Sequence, residues 1–215
     1  MDNRYDILQL LRRVADGSAT PEEALSQLKR APFEDLGYAK VDLHRGVRQG
    51  AAEVIYGAGK TPEQIAGIAA AMGERGCQNI LITRLSPESA KLVAETVPLD
   101  YHPVPRVAIA YPGERRELGH IVVATGGTSD LPVAEEAALT AQVLGNRVTR
   151  LYDVGVAGLH RLLANLEPLM SARCIVAVAG MEGALASVIG GLVDCPVIAV
   201  PTEPASAGCP PCWLC

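Results

Sequence analysis

The stretch Ile121-Val-Val-Ala-Thr-Gly-Gly-Thr-Ser-Asp-Leu-Pro-Val-Ala-Glu-Glu-Ala137 decides the fold of the second half of the chain. A short apolar run ends in two glycines, and Thr128, Ser129 and Asp130 follow before Pro132 opens a helix. Such a strand–loop–helix junction presents backbone N–H groups and two hydroxyls to an anion, with the positive end of the helix behind them. The stretch therefore predicts a nucleotide or sugar-phosphate site at the carboxyl end of a parallel strand. A capped α/β turn without a ligand is the alternative.

The residues that follow alternate regularly between β-rich runs and helical segments. The predicted order is strand 120–125, helix 131–144, strand 147–152, helix 156–170, strand 174–179, helix 182–193 and strand 196–200. Right-handed βαβ winding of this kind predicts an α/β fold, with a doubly wound parallel sheet as the middle of three layers. Ligands of such sheets bind at the carboxyl ends of the strands, so the site is expected there.

The first half of the chain predicts a smaller α/β domain preceded by helices. Two short helices are expected within residues 1–35, the second of them opened by Thr20-Pro21-Glu22-Glu23. Within residues 36–115 we expect a weakly alternating strand over 36–47, helices that start after Thr61 and Ser86, and strands over 79–83 and 106–111. The parallel-sheet domain is predicted to span residues 116–202.

Bulk properties exclude several classes of protein. The net charge of −5 and pI near 5.4 disfavour nucleic-acid binding, which needs a basic surface. No apolar run approaches the roughly 18 residues of a membrane span, and the amino terminus is polar, so we expect a cytoplasmic protein without a membrane partner. Cys77, Cys174 and Cys195 are expected to be reduced and buried. No metal site is predicted, because the histidines show no ligand spacing: His44, His102, His120 and His160.

Three acidic residues at predicted strand ends are the candidate catalytic groups. Asp130 is either a ribose ligand or a helix cap, and Asp153 is either a functional or a loop-structuring residue. Glu182 opens a helix, where glutamates usually face solvent. Beside other carboxylates in one crevice, however, Glu182 is a reasonable general acid or base.

The candidate substrate-binding residues are the glycines, hydroxyls and basic groups near the same ends and in the first half. They are Gly126, Gly127, Thr128, Ser129, Gly155, Gly180, Met181, Arg45 and Lys60. Lys60 ends a Gly57-Ala-Gly59-Lys60-Thr61 run whose spacing is not that of a P-loop, so ATPase chemistry is disfavoured. Lys60 ahead of a helix can still hold a phosphate.

Four separated strings together resemble one family. They are DLHRGVRQGAAEVIYGAGKTPEQI, VATGGTSDLPVAEEAALTAQVLG, LYDVGVAGLHRLL and AGMEGALASVIGGLVDCPVIAVPT. The family is pyridinium-3,5-biscarboxylic acid mononucleotide synthase, the LarB-type carboxylase/hydrolase of nickel-pincer cofactor synthesis. Its second half is similar to PurE-like aminoimidazole ribonucleotide (AIR) carboxylase. The resemblance covers about residues 36–202 and implies a PurE-like, flavodoxin-like fold and a homo-oligomer.

The resemblance implies a reaction on nicotinic acid adenine dinucleotide. A cysteine thiolate adds to the pyridinium ring, the resulting enamine captures carbon dioxide derived from bicarbonate, and hydrolysis of the phosphoanhydride releases AMP. The product serves the nickel-pincer cofactor of lactate racemase. No tightly bound cofactor is implied, and Mg²⁺ accompanies the substrate pyrophosphate. By motif, Gly126 to Asp130 hold a phosphate or ribose, Asp153 and Glu182 shape the ring site or move protons, and Arg45 and Lys60 meet the dinucleotide.

The chain departs from the family after Thr202. The family continues with a serine/glycine-rich turn, a small-residue helix and the nucleophilic cysteine, whereas this chain reads Glu203-Pro-Ala-Ser-Ala-Gly-Cys-Pro-Pro-Cys-Trp-Leu-Cys215. A shifted reading frame permits Tyr-Gly-Ala-Ser-Phe-Gly-Gly-Leu-Pro-Ala-Leu-Leu-Ala-Met. We therefore expect residues 203–215 to be a non-native tail, the 116–202 domain to be incomplete and the nucleophile to be missing. Alternatively, Cys209 and Cys212 form a redox pair, or a metal site with Cys215, although C-x-x-C alone is a weak signal.

Two other functions stay open at this point. One is an AIR carboxylase or mutase of purine synthesis, which is disfavoured by the long N-terminal domain and by the lack of a histidine between Gly180 and Leu185. The other is an inactive nucleotide-binding fragment, which would bind the dinucleotide without turning it over.

Overall fold

The computed structural model describes residues 3–30, 33–42, 53–114, 117–180 and 183–202. The chain divides into two compact units, unit 1 up to Gly113 and unit 2 from Glu114. Both units combine helices with parallel strand pairs, which confirms the predicted α/β class. None of the described helices is long and apolar enough to span a membrane.

Unit 1 begins with a pair of helices and a small hairpin. They are α1 Asn3–Ala15, α2 Pro21–Arg30, β1 Phe33–Asp35 and β2 Lys40–Asp42, with the two strands antiparallel. The start of α2 is a capping box, since the Thr20 hydroxyl accepts from the Glu23 N–H at 3.1 Å and the Glu23 carboxylate accepts from the Thr20 N–H at 2.9 Å. The predicted start of this helix is therefore confirmed.

A mixed four-stranded sheet forms the rest of unit 1. Its elements are β3 Ile55–Tyr56, α3 Pro62–Glu74, β4 Ile80–Thr83, α4 Pro87–Ala94, β5 Leu99–His102 and β6 Val107–Ala110. The strand order is β3-β4-β6-β5, in which β3 and β4 are parallel and β6 runs antiparallel to both of its neighbours. Side chains of α3 and α4 bury the sheet in one core that includes Ile65, Met72, Ile82 and Val93.

Unit 2 is an all-parallel α/β sheet. Its elements are β7 His120–Thr125, α5 Leu131–Val143, β8 Arg147–Leu151, α6 Leu159–Leu163, α7 Leu166–Met170, β9 Cys174–Ala179, α8 Ala184–Gly190 and β10 Val197–Pro201. The strand order β10-β9-β7-β8 places the first strand inside, with the second strand on one side and the third and fourth on the other. This order is that of the flavodoxin-like sheet.

Helices cover both faces of the unit 2 sheet. Leu162 of α6, Leu169 of α7 and Leu185 of α8 pack in the core of one face, with Ile175 of the sheet. The small side chains Ala134 and Ala138 of α5 pack on the other face. The predicted three-layer arrangement is therefore confirmed for this unit.

Two predicted helices of unit 2 differ from the structure. The single helix predicted over 156–170 is wrong, because the chain forms a 3-10 turn and then two short helices, α6 and α7. Pro168 explains the break: proline has no N–H to donate and its ring clashes with the carbonyl at i−4, so it fits only the first turn of a new helix. The helix predicted over 182–193 ends earlier, at Gly190, where a second glycine follows.

The cysteines of the described residues are free thiols. Cys77, Cys174 and Cys195 are half-buried, less buried than predicted. Burial raises the pKa of the Cys195 thiol, and the nearby Cys174 adds to the increase. Raised thiol pKa values lower the thiolate fraction and hence the reactivity at neutral pH.

Candidate functional site

The carboxyl end of β7 is the candidate binding site of unit 2. Strand β7 pairs with β8 on one side and with β9 on the other, so the connections leaving β7 and β9 turn to opposite faces of the sheet. In parallel α/β sheets, this switch point is where ligands bind. The loop that leaves β7 there is Gly126–Asp130, the stretch that the sequence singled out.

Backbone hydrogen bonds fix the start of this loop. The Gly126 N–H donates to the Val178 carbonyl of β9 at 2.9 Å, and the Gly127 N–H donates to Asp130 Oδ2 at 2.8 Å. Thr128 to Asp130 then form a 3-10 turn that leads into α5. The N–H groups of Thr128 and Ser129 meet no acceptor among the described residues, and both side chains are exposed. Two amides and two hydroxyls are thus available to an anion.

Asp130 holds this loop from within the protein. It is buried, with 5% of its surface exposed, and its Oδ1 accepts from the Thr202 hydroxyl at 2.7 Å while Oδ2 accepts from Gly127. Asp130 sits at the N-cap position of α5 without making a cap hydrogen bond. The Thr202 N–H in turn donates to the Ala179 carbonyl at 3.2 Å. The carboxylate therefore ties the β7 loop to the end of β10.

The loop that leaves β8 lies directly against the β7 loop. A Cβ on Gly155 would lie 2.4 Å from the Gly126 carbonyl oxygen, so only glycine fits there. Asp153 has a positive φ of 57°, and its N–H donates to the Thr125 hydroxyl at 3.0 Å. The Val154 N–H donates to the Thr125 carbonyl, also at 3.0 Å. The predicted residues Asp153 and Gly155 are therefore tied to the end of β7.

Sequence reasoning missed Arg161, the cation at this edge. Its Nη1 donates to Asp153 Oδ2 in an ion pair, with 37% of the Arg161 side chain and 52% of the Asp153 side chain exposed. The one sequence feature that could have indicated this ion pair is the spacing of Asp153, Gly158 and Arg161 inside LYDVGVAGLHRLL. That spacing joins residues of a loop and a helix, and no single periodicity predicts such a contact.

The remaining predicted residues lie in three different places. Gly180 directly follows β9 at the same edge, and its carbonyl accepts a hydrogen bond from the N–H of Gly183, which has a positive φ of 64°. Lys60 belongs to unit 1, where its Nζ donates to the Tyr56 carbonyl of its own loop at 2.8 Å. Arg45, Met181 and Glu182 lie outside the described residues, as do Cys209, Cys212 and Cys215.

The loop containing Lys60 is a hydrogen-bonded strand-to-helix turn. The Gly57 N–H donates to the Thr83 carbonyl at 2.8 Å, and Thr61 and Gln64 form a capping box at the start of α3. The predicted helix start after Thr61 is confirmed. A Cβ on Gly57 would lie 2.8 Å from the Thr83 carbonyl oxygen, so the turn requires glycine.

A polar cluster links α5 to β8 next to the site. The Tyr152 hydroxyl donates to Glu135 Oε1 at 2.7 Å, and Arg150 Nε pairs with Glu135 Oε2 at 3.1 Å. Burial, followed by the hydrogen bond to Glu135, raises the pKa of Tyr152 above its ordinary value of 10.0. Tyr152 therefore stays a neutral hydrogen-bond donor at physiological pH.

The opposite, amino-terminal edge of the sheet contains a buried histidine. His120 is 8% exposed, and its Nδ1 lies 3.3 Å from the Ser171 carbonyl while Nε2 lies 2.9 Å from the Thr149 hydroxyl. Both ring nitrogens therefore have partners within the protein, which fits a structural role. Among the described residues, no three metal-ligating side chains come together at this edge or elsewhere.

The carboxyl edge combines the groups that an anionic substrate needs. Free amides and hydroxyls come from the β7 loop, a guanidinium comes from α6, and carboxylates lie at the ends of β7 and β8. A Cβ on Gly126 would lie 3.3 Å from the Ala179 Cβ, and one on Gly155 would lie 2.4 Å from the Gly126 carbonyl oxygen, so these glycines let the loops at this edge pack closely. Such a site can bind a phosphorylated ribose and place a ring between polar groups.

Comparisons with known proteins match both halves of the chain. A family model described as LarB/PurE-like N-terminal domain matches residues 33–112, and one described as AIR carboxylase matches residues 120–210. An uncharacterised protein of Methanocaldococcus jannaschii is 35% identical over 208 residues, which cover 92% of this chain and 81% of that protein. The AIR carboxylase domain indicates a carboxylase-type enzyme. With a LarB/PurE-like N-terminal domain followed by an AIR carboxylase domain, the chain belongs to the LarB family.

Proposed function

We propose that this protein, when its reading frame is restored after Thr202, carboxylates the pyridinium ring of nicotinic acid adenine dinucleotide and cleaves its phosphoanhydride. The products are pyridinium-3,5-biscarboxylic acid mononucleotide, a precursor of the nickel-pincer cofactor of lactate racemase, and AMP. The observation that carries the proposal is the LarB architecture itself, with the anion-binding Gly126–Asp130 loop at the switch point of its second domain. A dinucleotide supplies both the phosphates for such a loop and the ring to be carboxylated.

The chemistry requires a nucleophile before carbon dioxide can react. The pyridinium ring is electron-poor, so a thiolate first adds to a ring carbon and converts the opposite side into an enamine. The enamine carbon attacks carbon dioxide, and a base removes the proton from that carbon. The thiolate then leaves and the ring becomes aromatic again. Water separately cleaves the P–O–P bond, and the proton released passes to solvent.

Residues at the carboxyl edge of unit 2 have matching roles in this proposal. The amides and hydroxyls of Thr128 and Ser129 bind a phosphate or ribose, and Asp130 holds their loop. Asp153, together with Glu182, shapes the ring site or moves protons. In the first half of the chain, Arg45 and Lys60 are proposed to bind the anionic dinucleotide, and Mg²⁺ is proposed to arrive with its pyrophosphate.

The nucleophilic cysteine is the group that this chain is proposed to lack. In the family it follows a small-residue helix after the position of Thr202, whereas Cys209, Cys212 and Cys215 stand in a different sequence context. We therefore propose that the chain binds the dinucleotide and forms no carboxylated product.

A turnover assay tests the proposal. The chain as written and a version whose frame is restored after Thr202 are incubated with nicotinic acid adenine dinucleotide and bicarbonate, and the products are identified by mass. We expect carboxylated mononucleotide and AMP from the restored version alone. In a parallel assay with aminoimidazole ribonucleotide and bicarbonate, carboxylation by the restored version would instead favour an AIR carboxylase. Turnover of the dinucleotide by the unaltered chain would contradict the missing nucleophile.

A further inference from the structure

We propose that a cavity at the amino edge of the unit 2 sheet binds an α-amino acid, with Arg147 holding the carboxylate and Glu167 holding the ammonium group. The cavity has a volume of about 290 Å³. It lies at the edge of the sheet opposite the β7 and β8 loops, so the proposed carboxylation does not depend on it.

Two neighbouring strands and one helix form this cavity. His120 of β7 pairs with Arg147 of β8, and Val122 pairs with Thr149 two residues further on. Alternate residues of a strand point to the same face, so His120, Arg147 and Thr149 share one face of the sheet. It is the face that α7 covers, because Val122 and Leu169 of α7 belong to one core. The lining residues are His120, Arg147, Thr149, Glu167, Pro168 and Ser171.

Hydrogen bonds within the protein leave acceptors on the wall of the cavity. The Ser171 carbonyl, which can only accept, lies 3.3 Å from His120 Nδ1, so we assign the proton of the neutral ring to Nδ1. The Thr149 hydroxyl then donates to Nε2 at 2.9 Å, and the Ser171 hydroxyl donates to the Pro168 carbonyl at 3.2 Å. Both hydroxyls have thus used their protons and keep lone pairs. They favour a ligand group that donates hydrogen bonds, as an ammonium does.

Two side chains of opposite charge line the cavity without pairing with each other. Among the described residues, neither Arg147 nor Glu167 forms a side-chain hydrogen bond or an ion pair. A guanidinium binds a carboxylate through two parallel hydrogen bonds. A carboxylate beside hydroxyl lone pairs binds an ammonium, which has three donors. A ligand that carries both an ammonium and a carboxylate therefore matches Glu167 and Arg147 together.

The size of the cavity fits an α-amino acid. Pockets for larger organic ligands have volumes of about 300–1,000 Å³, so a cavity of about 290 Å³ suits a small metabolite. A sphere of this volume is about 8 Å across. Charge-assisted hydrogen bonds are about 2.8 Å long, so an α-amino acid, whose two charged groups share one carbon, bridges protein charges about 8–9 Å apart.

Matched ligands test the two charges separately. L-Alanine carries both groups, propionate lacks the ammonium and ethylamine lacks the carboxylate. L-Glutamine keeps both groups and adds a longer side chain. Each ligand is titrated into the full chain, and binding is followed by NMR. We expect saturable binding of both amino acids and affinities about tenfold lower for propionate and ethylamine, because each of these loses one set of charge-assisted hydrogen bonds.

Four variants at exposed positions provide the comparison. Arg147→Gln and Glu167→Gln each remove one charge from the cavity. Arg173→Gln and Glu117→Gln make the same changes at the same edge of the sheet, outside the cavity lining. We expect the first two to weaken L-alanine binding about tenfold and the controls to leave it unchanged. Arg147→Gln should weaken propionate more than ethylamine, and Glu167→Gln should do the reverse.

Several results would overturn the inference. They are no saturable binding of either amino acid to the unaltered chain, equal losses in the cavity and control variants, or propionate or ethylamine binding as tightly as L-alanine. A changed mass of Arg147→Gln or Glu167→Gln in light scattering, without amino-acid binding to the unaltered chain, would also overturn it, since the cavity would then belong to an interface between copies. The turnover assay tests the carboxylation separately, so neither proposal stands or falls with the other.

Discussion

At the scale of single residues, the contact between Thr202 and Asp130 connects chain segments 72 positions apart. Replacing Thr202 with valine keeps the shape and removes the hydroxyl, leaving one oxygen of a buried carboxylate without its partner. We expect Thr202→Val to lower the free energy of unfolding by about 1.5–3 kcal/mol, since the lost hydrogen bond is to a charged group. Urea denaturation measures the change.

Serine provides the matched control for this prediction. Thr202→Ser keeps the hydroxyl and loses only a methyl group, so its unfolding free energy should stay much closer to that of the unaltered chain. Equal losses in the valine and serine variants would show that the hydroxyl contact does not stabilise the loop.

Two glycines of unit 2 should respond oppositely to the same substitution. Gly155→Ala places a methyl group against the Gly126 carbonyl oxygen, so the backbone of one of the two loops must move and the free energy of unfolding should fall. Gly190 lies in α8, and a Cβ there meets nothing within 4 Å. Gly190→Ala should therefore raise the unfolding free energy by about 0.5–1 kcal/mol. Denaturation midpoints check both, and a stabilised Gly155→Ala would contradict the close packing of the two loops.

At the scale of secondary-structure elements, the contact between Tyr152, which directly follows β8, and Glu135 of α5 predicts a pH dependence of stability. The folded protein holds the pKa of Tyr152 above its ordinary value, so above about pH 10 the unfolded chain has lost a proton that the folded chain keeps. The contribution of Tyr152 to stability is therefore complete below pH 10 and is lost as the pH rises further. Comparing unfolding of the unaltered chain and Tyr152→Phe between about pH 8 and 11 isolates this residue. A constant stability difference over that range would contradict the prediction.

Elements with a local signal were predictable from the sequence. Capping residues such as Thr20 and Thr61 mark helix starts by their own hydrogen bonds, and the apolar runs of β7 and β9 mark buried strands. Strands β1, β3 and β5 were missed because each has only two to four residues, too few to show alternation. They form because neighbouring strands supply hydrogen-bond partners for their backbone groups, and the local sequence does not reveal those partners.

At the scale of the whole molecule, the outer strand β10 predicts self-association. Ile198 is 50% exposed, whereas Val200 on the same face of the strand is half-buried and packs against the core that contains Ala134 and Ala138 of α5. A half-covered parallel strand is unusual, because such strands are normally buried on both faces. We expect light scattering at micromolar concentration to give the mass of two or more chains of 22.6 kDa each. A mass of one chain would contradict this expectation.

That the candidate residues share one edge of the sheet was predictable, whereas the contacts between them were not. The alternation of strands and helices places Gly126, Asp153 and Gly180 at one edge of a parallel sheet, which connectivity alone requires. The contacts of Thr202 with Asp130 and of Arg161 with Asp153 depend on strand order and on a broken helix. Neither the strand order nor the helix break follows from the period of the apolar residues. The Thr202–Asp130 and Arg161–Asp153 contacts are therefore evident only from the structure.

The strand orders of the two sheets have a consequence for synthesis on the ribosome. In unit 2 the innermost strand, β7, emerges first, and each later strand joins an edge that already exists, β8 on one side and then β9 and β10 on the other. No strand has to insert between two paired ones. In unit 1 β5 has no partner in the sheet until β6 emerges and fills the place between β4 and β5. The second sheet can thus assemble in the order in which it is translated, while the first must wait for its last strand.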